Sequence, residues 1–271
     1  MEVRILRGEG DMRLDRLNEM EHYIYQKGNA SLQDLSEHFD VSINTVRRDI
    51  RVLMTNGTIK KVYGGVAATM PAKQLIQVSQ REQECMEEKR MIAKLAAQQI
   101  PDNTTLYLDT GTTVSEIVPF LAEKQNLTIV TNSVRVLERM VQYPNLNLFV
   151  LGGFYSSDIS GFVGITVLDN MNRLAFDYAV LGATGISLDG GLMTGGFSEE
   201  PIKQHVLRHS KKKVMLLVDS EKFDRTALFT FGEIGDIHCV VTDREPPRRY
   251  RERFEINNIQ VLYPGNPIIA E

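Results

Sequence analysis

The stretch Ser42–Leu53, SINTVRRDIRVL, decides how the first part of this chain folds. Its apolar residues recur at the spacing of one helical face, and they are Ile43, Val46, Ile50 and Leu53. Ser42 can cap this helix, because its hydroxyl accepts a hydrogen bond from an unpaired amide of the first turn. Arginine and short polar side chains occupy the opposite face, and such groups read base edges in a major groove. A solvated surface helix would carry the same residues, so the neighbouring segments must decide between the two interpretations.

The segments around this helix complete a pattern of three helices and a hairpin. A first helix is predicted to end before Gly28, a residue typical of helix C-termini. Its apolar positions are Leu14, Leu17, Met20 and Ile24. Ser31 and Asp34 predict a capping box that opens a short second helix. After the arginine helix, the alternating residues 58–68 predict a β-hairpin around a glycine turn.

Three helices followed by a hairpin predict a winged helix-turn-helix domain in residues 12–68. In that architecture the third helix enters the major groove and the hairpin, or wing, contacts phosphates. Lys60 and Lys61 would supply the phosphate contacts, and Tyr63 would brace them. The predicted DNA-binding residues are Ser42, Asn44, Thr45, Arg47, Arg48, Arg51, Lys60, Lys61 and Tyr63.

Three stretches of this domain resemble one protein family. They are Arg13-Leu-x-x-Leu17, the run SLQDLSEHFDVSINTVRRDIRVL and the run GTIKKVYGGV. Together they resemble the amino-terminal domain of DeoR-type bacterial sugar-catabolism repressors, and are most similar to repressors of inositol catabolism. The resemblance implies that the chain binds operator DNA.

Composition and charge agree with a DNA-binding surface that is local. The chain has 271 residues, 42% of them hydrophobic, and a formal net charge of −4, so it does not coat nucleic acid uniformly. Residues 42–65 nevertheless contain five basic residues and one acidic residue. Cys85 and Cys239 are too far apart in the sequence to suggest a disulfide framework or a zinc site. No membrane span or signal peptide is evident, so we expect a cytoplasmic protein; Met12 is an alternative start.

The remainder of the chain reads as a linker, 69–85, and an α/β domain, 86–271. A helix over 87–100 is followed by apolar runs that alternate with helical patterns, which is typical of a largely parallel sheet. The predicted strands are 105–108, 127–130, 146–151, 177–181, 214–218, 239–242 and 260–263. The predicted helices between them are 114–122, 134–143 and 199–208.

Small polar residues follow several of these strands, where ligands bind in parallel sheets. The first such run is Asp109-Thr-Gly-Thr-Thr113, in which Gly111 lets the backbone approach a ligand and the helix start favours an anion. A capped turn without a ligand is an equal alternative for this run. Lys222 follows the fifth strand and could close a phosphate site, or it could be an ordinary surface lysine. The run is neither a P-loop nor a dinucleotide fingerprint, so ATP and NAD are not expected.

The runs DTGTT, TNS, LGG, GATGIS and DSEKF resemble the effector domain of the same family, in the same order. This implies a domain similar to the sugar-phosphate isomerase and CoA-transferase fold, and a small phosphorylated sugar as effector. Carried across by motif, the phosphate side would be held by Asp109, Gly111, Thr112 and Thr113. The rest of the site would be lined by Thr131, Asn132, Gly152, Gly153 and Lys222.

An enzyme and an RNA-binding module are the competing functional classes. The isomerases that the second domain resembles carry acids after their aspartate-glycine turn, whereas this chain has Leu192 and Met193, which cannot move protons. Asp109, Glu199 or Glu200 could still act as a base, which leaves an isomerase with an added DNA-binding domain as the alternative. An RNA-binding module would need an exposed aromatic platform, which the sequence does not suggest. We therefore predict a repressor with no catalytic residues, cofactor or metal, acting as a homo-oligomer, either a dimer or a tetramer.

Overall fold

The computed structural model describes residues 16, 17, 19, 20, 23, 24, 27–55, 59–62, 64–68 and 84–266. The chain divides into two compact units, residues 1–76 and 77–271, and each unit is described on its own. Most of the predicted linker, 69–85, and the predicted positions Leu14, Thr58 and Tyr63 lie outside the described residues. Within the part of the chain that the structure describes, every helix is too short or too polar to cross a membrane.

The first unit combines three helices with a small antiparallel sheet. Helix α1 contains the described residues 16, 17, 19, 20, 23, 24 and 27. Helix α2 is Leu32–His38 and helix α3 is Ile43–Thr55. The strands are β1 (Asn29–Ser31), β2 (Ile59–Val62) and β3 (Gly65–Ala68), in the order β1-β3-β2. The hairpin β2–β3 was predicted, and β1, which ties the hairpin to the start of α2, was not.

Local capping fixes where these helices begin. Ser31 Oγ accepts from the Asp34 amide at 3.0 Å, and the Ser31 amide donates to Asp34 Oδ2 at 3.1 Å, so the predicted capping box is confirmed. Ser42 Oγ accepts from the Thr45 amide at 3.2 Å, as expected for the start of α3. Gly28 has a φ of 77°, a left-handed conformation that glycine adopts without strain.

The buried face of α3 differs from the predicted one at one position. Val46, Ile50 and Leu53 are buried as expected, but Ile43 is 41% exposed. Asp49 is fully buried instead, and it shares a face with the other three residues. Because this face is centred closer to Asp49, Ile43 lies at its edge and is left partly in solvent.

The second unit is built on a seven-stranded sheet in which every neighbouring pair is parallel. Its order is β15-β14-β12-β9-β4-β5-β6. The strands are β4 (Thr105–Leu108), β5 (Thr128–Thr131), β6 (Asn147–Val150), β9 (Tyr178–Gly182), β12 (Lys213–Leu217), β14 (Cys239–Val241) and β15 (Gln260–Leu262). They correspond one to one with the seven predicted strands, and no strand end differs from its predicted position by more than one residue.

Helices cover both faces of this sheet. They are α4 (Met86–Gln98), α5 (Thr112–Ser115), α6 (Val134–Met140), α7 (Ile165–Met171), α8 (Glu200–His209) and α9 (Arg248–Ile256). Side chains of α4, α5 and α6 pack on one face with Leu106, Leu108 and Val180. Side chains of α7, α8 and α9 pack on the other face with Tyr107 and Leu181. The result is a three-layer α/β/α unit.

Several elements depart from the predicted ones. The helix predicted over 114–122 is broken into the short α5 and a 3₁₀ turn, Val118–Leu121, because Pro119 cannot donate to the carbonyl of Ser115. Two short antiparallel sheets and the helices α7 and α9 were not predicted. Their strands are β7 (Phe154–Ser156), β8 (Gly161–Val163), β10 (Gly185–Ser187), β11 (Gly191–Thr194) and β13 (Phe229–Gly232).

Candidate functional site

The outer face of α3 carries the residues predicted to read DNA. Its exposed side chains include Ser42, Asn44, Arg47, Arg48 and Arg51, while Thr45 is half-buried. On β2, Lys60 and Lys61 are both exposed. Arginine forks can bind guanine edges in pairs of hydrogen bonds, and exposed lysines on a wing can contact phosphates. The described members of the predicted set thus lie at the start of α3, along α3 and on β2, and their contact with DNA stays a prediction.

The charge of this face is more one-sided than the sequence suggests. Asp49 lies between the arginines in sequence, but its side chain points inward and is 1% exposed. Its carboxylate accepts from Nε of Arg16 at 2.8 Å. Because the one acidic residue of α3 is buried and paired with Arg16, its carboxylate does not lie on the exposed face of the helix among the arginines.

The second unit contains a cleft at the carboxyl ends of three neighbouring strands, β4, β9 and β12. We call it the strand-end cleft. Its lining comes from the loops that follow these strands, from the start of α4, from Thr194 at the end of β11 and from the start of α8. About 710 Å³ of empty space lies within it, part of which is open solvent at the mouth.

One wall of the strand-end cleft is the start of α5. Gly111 is the N-cap residue and provides no side-chain cap, so the amides of the first turn lack the usual side-chain partner. Gly111 also lies close to the next strand, since a Cβ there would be 3.5 Å from the Cα of Gly182. Thr112 and Thr113 line the cleft beside these amides. Amides and hydroxyls together make a set of donors for an anionic group.

Cationic side chains line the cleft near this wall. They are Lys89 at the start of α4, Lys203 in α8, and Lys222 and Arg225 after β12. Lys89 is 4% exposed, and its burial lowers the pKa of the ammonium group. Lys222 Nζ lies 3.6 Å from Asp219 Oδ2, a distance too long for a strong hydrogen bond. An anionic ligand would give Lys222 a closer charge partner than Asp219 does.

A network of buried polar side chains underlies the cleft. The Lys203 ammonium forms an ion pair with Asp109 and donates to the carbonyl of Gly182 at 2.9 Å. Asp109 also accepts from the Gly182 amide at 3.0 Å. Nearby, Glu199 accepts from the hydroxyl of Thr194 at 2.7 Å and from that of Thr110 at 3.0 Å. The network connects α8 to the loop after β4 and to the end of β9.

Only some of the predicted effector residues line the strand-end cleft. Gly111, Thr112, Thr113 and Lys222 do, and Asp109 lies beneath it as the partner of Lys203. Four other predicted residues are not part of the lining as the described residues form it, and they are Thr131, Asn132, Gly152 and Gly153.

Three of those four residues have structural contacts that explain their positions, whereas a Cβ at Gly152 would meet nothing within 4 Å. Thr131 donates to the carbonyl of Leu108 at 2.6 Å and accepts from the amide of Ser133 at 3.0 Å. Asn132 accepts from the hydroxyl of Tyr107 at 2.8 Å and donates to the carbonyl of Phe162 at 2.8 Å. A Cβ at Gly153 would lie 2.7 Å from the carbonyl oxygen of Val163, so glycine is required there for packing.

Several residues that line the cleft were not predicted as effector-binding residues, and they lie on or next to helices or at the end of β11. Lys89 belongs to α4 and Lys203 to α8, Glu199 is the N-cap residue of α8, and Thr194 ends an unpredicted strand. A search for polar residues after strands cannot find helix residues, although a lysine at the apolar spacing of α8 between Ile202 and Val206 was a usable signal. Leu192, which cannot move a proton, is fully buried.

Comparison with known proteins decides the family. A model of the DeoR C terminal sensor domain matches residues 84–244, and a model of the DeoR-like helix-turn-helix domain matches residues 16–71. The HTH-type transcriptional regulator IolR of Bacillus subtilis is 35% identical over 89% of this chain and 95% of its own length. The chain belongs to the DeoR family. The glycerol-3-phosphate regulon repressor of Escherichia coli is 33% identical over 91% of this DeoR-family chain and 97% of its own length.

Membership in the DeoR family confirms the predicted function class. The chain is a transcriptional regulator with a helix-turn-helix domain and a C-terminal sensor domain, so operator DNA and an effector are its partners. Its relatives are regulators, which also confirms that it is not an enzyme. Among solved structures, ribose 5-phosphate isomerase A of Methanocaldococcus jannaschii is 19% identical with a TM-score of 0.38, over 51% of this chain and 54% of the isomerase.

Proposed function

We propose that this DeoR-family regulator represses a carbohydrate-catabolism operon and leaves its operator when a phosphorylated sugar or sugar acid binds the strand-end cleft. The observation that carries the proposal is the wall of uncapped amides and threonine hydroxyls at Gly111–Thr113, with cationic side chains lining the same cleft. The named regulons of its relatives, such as that of the glycerol-3-phosphate repressor, support the same class of effector.

The mixture of charges favours a ligand with one anionic end and a hydroxylated remainder. The anionic end would bind at Gly111–Thr113, with Lys222 as a compensating charge. Carboxylates of Glu84, Glu199 and Glu221 also line the cleft, and they can accept hydrogen bonds from sugar hydroxyls. A ligand with several phosphates would meet these carboxylates and be repelled.

We propose that α3 reads the operator and that two or more copies bind together, as a dimer or a tetramer. One winged domain contacts few base pairs, so paired half-sites supply the missing specificity. The protein would act in the cytoplasm of a bacterium, where its operator lies.

Effector and operator binding are then coupled by linkage. The factor by which the effector weakens operator binding equals the factor by which the operator weakens effector binding. Typical coupling free energies of about 1–3 kcal/mol correspond to about 5- to 150-fold release.

The test is a thermal-shift screen of phosphorylated sugars and sugar acids, because a ligand of the native state raises its stability. Hits are then added to the protein bound to a labelled operator fragment. Thr112→Val removes a hydroxyl and Lys222→Met a charge from the cleft, so both variants should bind the operator normally and fail to release it. Lys211→Met removes a matched charge from the exposed, opposite end of β12 and should behave as the wild type. Wild-type release by Thr112→Val and Lys222→Met would place the effector elsewhere.

A further inference from the structure

Helix α3 contains a buried acidic residue, which cannot be there to contact DNA because its side chain points inward. Asp49 is fully buried, although Arg47, Arg48 and Arg51 around it are exposed. Aspartate is a poor residue for the middle of a helix, and burying its charge is costly unless it is paired. An apolar residue would fill the same position on the helical face. The acid therefore needs a reason beyond packing.

Arg16 in α1 supplies the partner. Its Nε donates to Asp49 Oδ2 at 2.8 Å, across 33 positions of the sequence. The Asp49 side chain is 1% exposed and the Arg16 side chain is 24% exposed, so the bond lies mostly out of water. Charge-assisted hydrogen bonds of this kind are both strong and directional.

The apolar contacts of α3 do not fix its rotation in the same way. Val46, Ile50 and Leu53 pack in one cluster with Leu17, Met20 and other residues, and such contacts have little directional preference. A rotation of the helix by about 20° moves an atom about 6 Å from the axis by about 2 Å. That displacement is enough to break the hydrogen bonds of an arginine to a base edge.

We propose that the Arg16–Asp49 pair is a positioning device that sets the rotation of α3 about its own axis, so that its arginines meet the bases in register. Neither residue contacts DNA in this role. Arg16 acts on the operator through Asp49, and Asp49 through the helix that carries it. The pair thus determines sequence discrimination more than it determines general affinity for DNA.

The test compares operator DNA with random DNA of the same length, using the full-length protein at several salt concentrations. Arg16→Met and Asp49→Asn should each lower operator affinity at least tenfold, while affinity for random DNA and its salt slope stay unchanged. Arg16→Lys keeps a charge that can reach Asp49 and should recover part of the loss. Lys60→Ala is the control for a phosphate contact, and should weaken both DNAs and reduce the slope by about one.

Two outcomes would overturn the proposal. A salt slope reduced by about one in Arg16→Met would make Arg16 a phosphate contact in its own right. An unchanged ratio of operator to random affinity in folded Arg16→Met and Asp49→Asn would make the pair a contributor to stability alone. Should Arg16→Met fail to fold, as judged by far-UV circular dichroism, Asp49→Asn decides, because asparagine keeps the size of aspartate and removes the charge that holds the Arg16 guanidinium in place.

Discussion

Replacing Lys203 by methionine should destabilise the sensor unit strongly. Lys203 is 3% exposed and Asp109 is 2% exposed, and the two side chains form an ion pair beneath the strand-end cleft. Methionine has a similar volume, and its sulfur can replace the cation–π contact, which the Lys203 ammonium makes 5.3 Å from the ring centroid of Phe231, by a sulfur–aromatic contact. The substitution therefore removes the charge and leaves the carboxylate of Asp109 buried without it.

The size of the effect follows from the free-energy cost of leaving the Asp109 carboxylate buried without its partner. Removing one partner of a buried pair typically costs about 3–5 kcal/mol. For a unit of the size of residues 77–271, each kcal/mol lowers the melting temperature by about 2–4 °C, so we expect a fall of about 6–20 °C. Asp109→Asn combined with Lys203→Met should restore much of the loss, because both charges are gone and the asparagine oxygen can still accept from the Gly182 amide.

Urea denaturation of the wild type, both single variants and the double variant gives a complete double-mutant cycle. We expect the double variant to be more stable than Lys203→Met, with a coupling free energy of about 2 kcal/mol or more. A cycle in which the two losses simply add would refute the idea that these charges depend on each other. A wild-type melting temperature for Lys203→Met would show that the Asp109 carboxylate does not depend on the charge of Lys203.

Further predictions concern DNA reading, the cleft, helix capping and the enzyme class. Arg47→Ala and Arg48→Ala should each weaken operator binding, by about 1–3 kcal/mol where the arginine binds a guanine edge, while Arg253→Ala in α9 should not; gel shifts distinguish these variants. The pKa of Cys85 is raised by burial and by nearby Asp219 and Glu221, so its thiol should react with iodoacetamide at pH 8 more slowly than a free cysteine, and a cleft-bound effector should slow it further, as measured by mass spectrometry. Ser31→Ala should destabilise the DNA-binding unit by about 1 kcal/mol in thermal unfolding. The Ser31 amide lowers the pKa of Asp34, so the contribution of this carboxylate is present above its ordinary pKa and is lost as the pH falls through the lowered one. Purified protein should not interconvert aldose and ketose phosphates above buffer in a coupled assay, and turnover abolished by Asp109→Asn would reverse the class assignment.

The fold was largely predictable because its strongest signals are local. Each strand of the parallel sheet is a short apolar run flanked by polar residues, and the capping box at Ser31 and Asp34 has a fixed spacing. The short sheets escaped because strands of three or four residues, such as Gly185–Ser187, show no measurable alternation. Ile43 was misassigned because helical spacing cannot tell the centre of a buried face from its edge.

The lining of the cleft was only partly predictable, because short sequence motifs do not show which residues lie close together in the folded chain. Gly111–Thr113 and Lys222 follow strands, and the rule for parallel sheets located them. Thr131 and Asn132 follow a strand as well, yet their side chains bond to the neighbouring backbone and to Tyr107. The same residue types serve as ligand donors or as internal connections, and only the packing of the loops separates the two uses.

The contribution of the start of α4 to the strand-end cleft has a consequence for engineering. Glu84, Cys85 and Lys89 precede the first strand of the central sheet, yet they form part of the wall that faces the ligand. A sensor fragment that begins at Arg90 would keep every strand of that sheet and still lack this wall. A chimeric regulator that joins this sensor unit to a different DNA-binding domain therefore needs its junction before Glu84. The sensor unit then keeps every residue that lines its cleft.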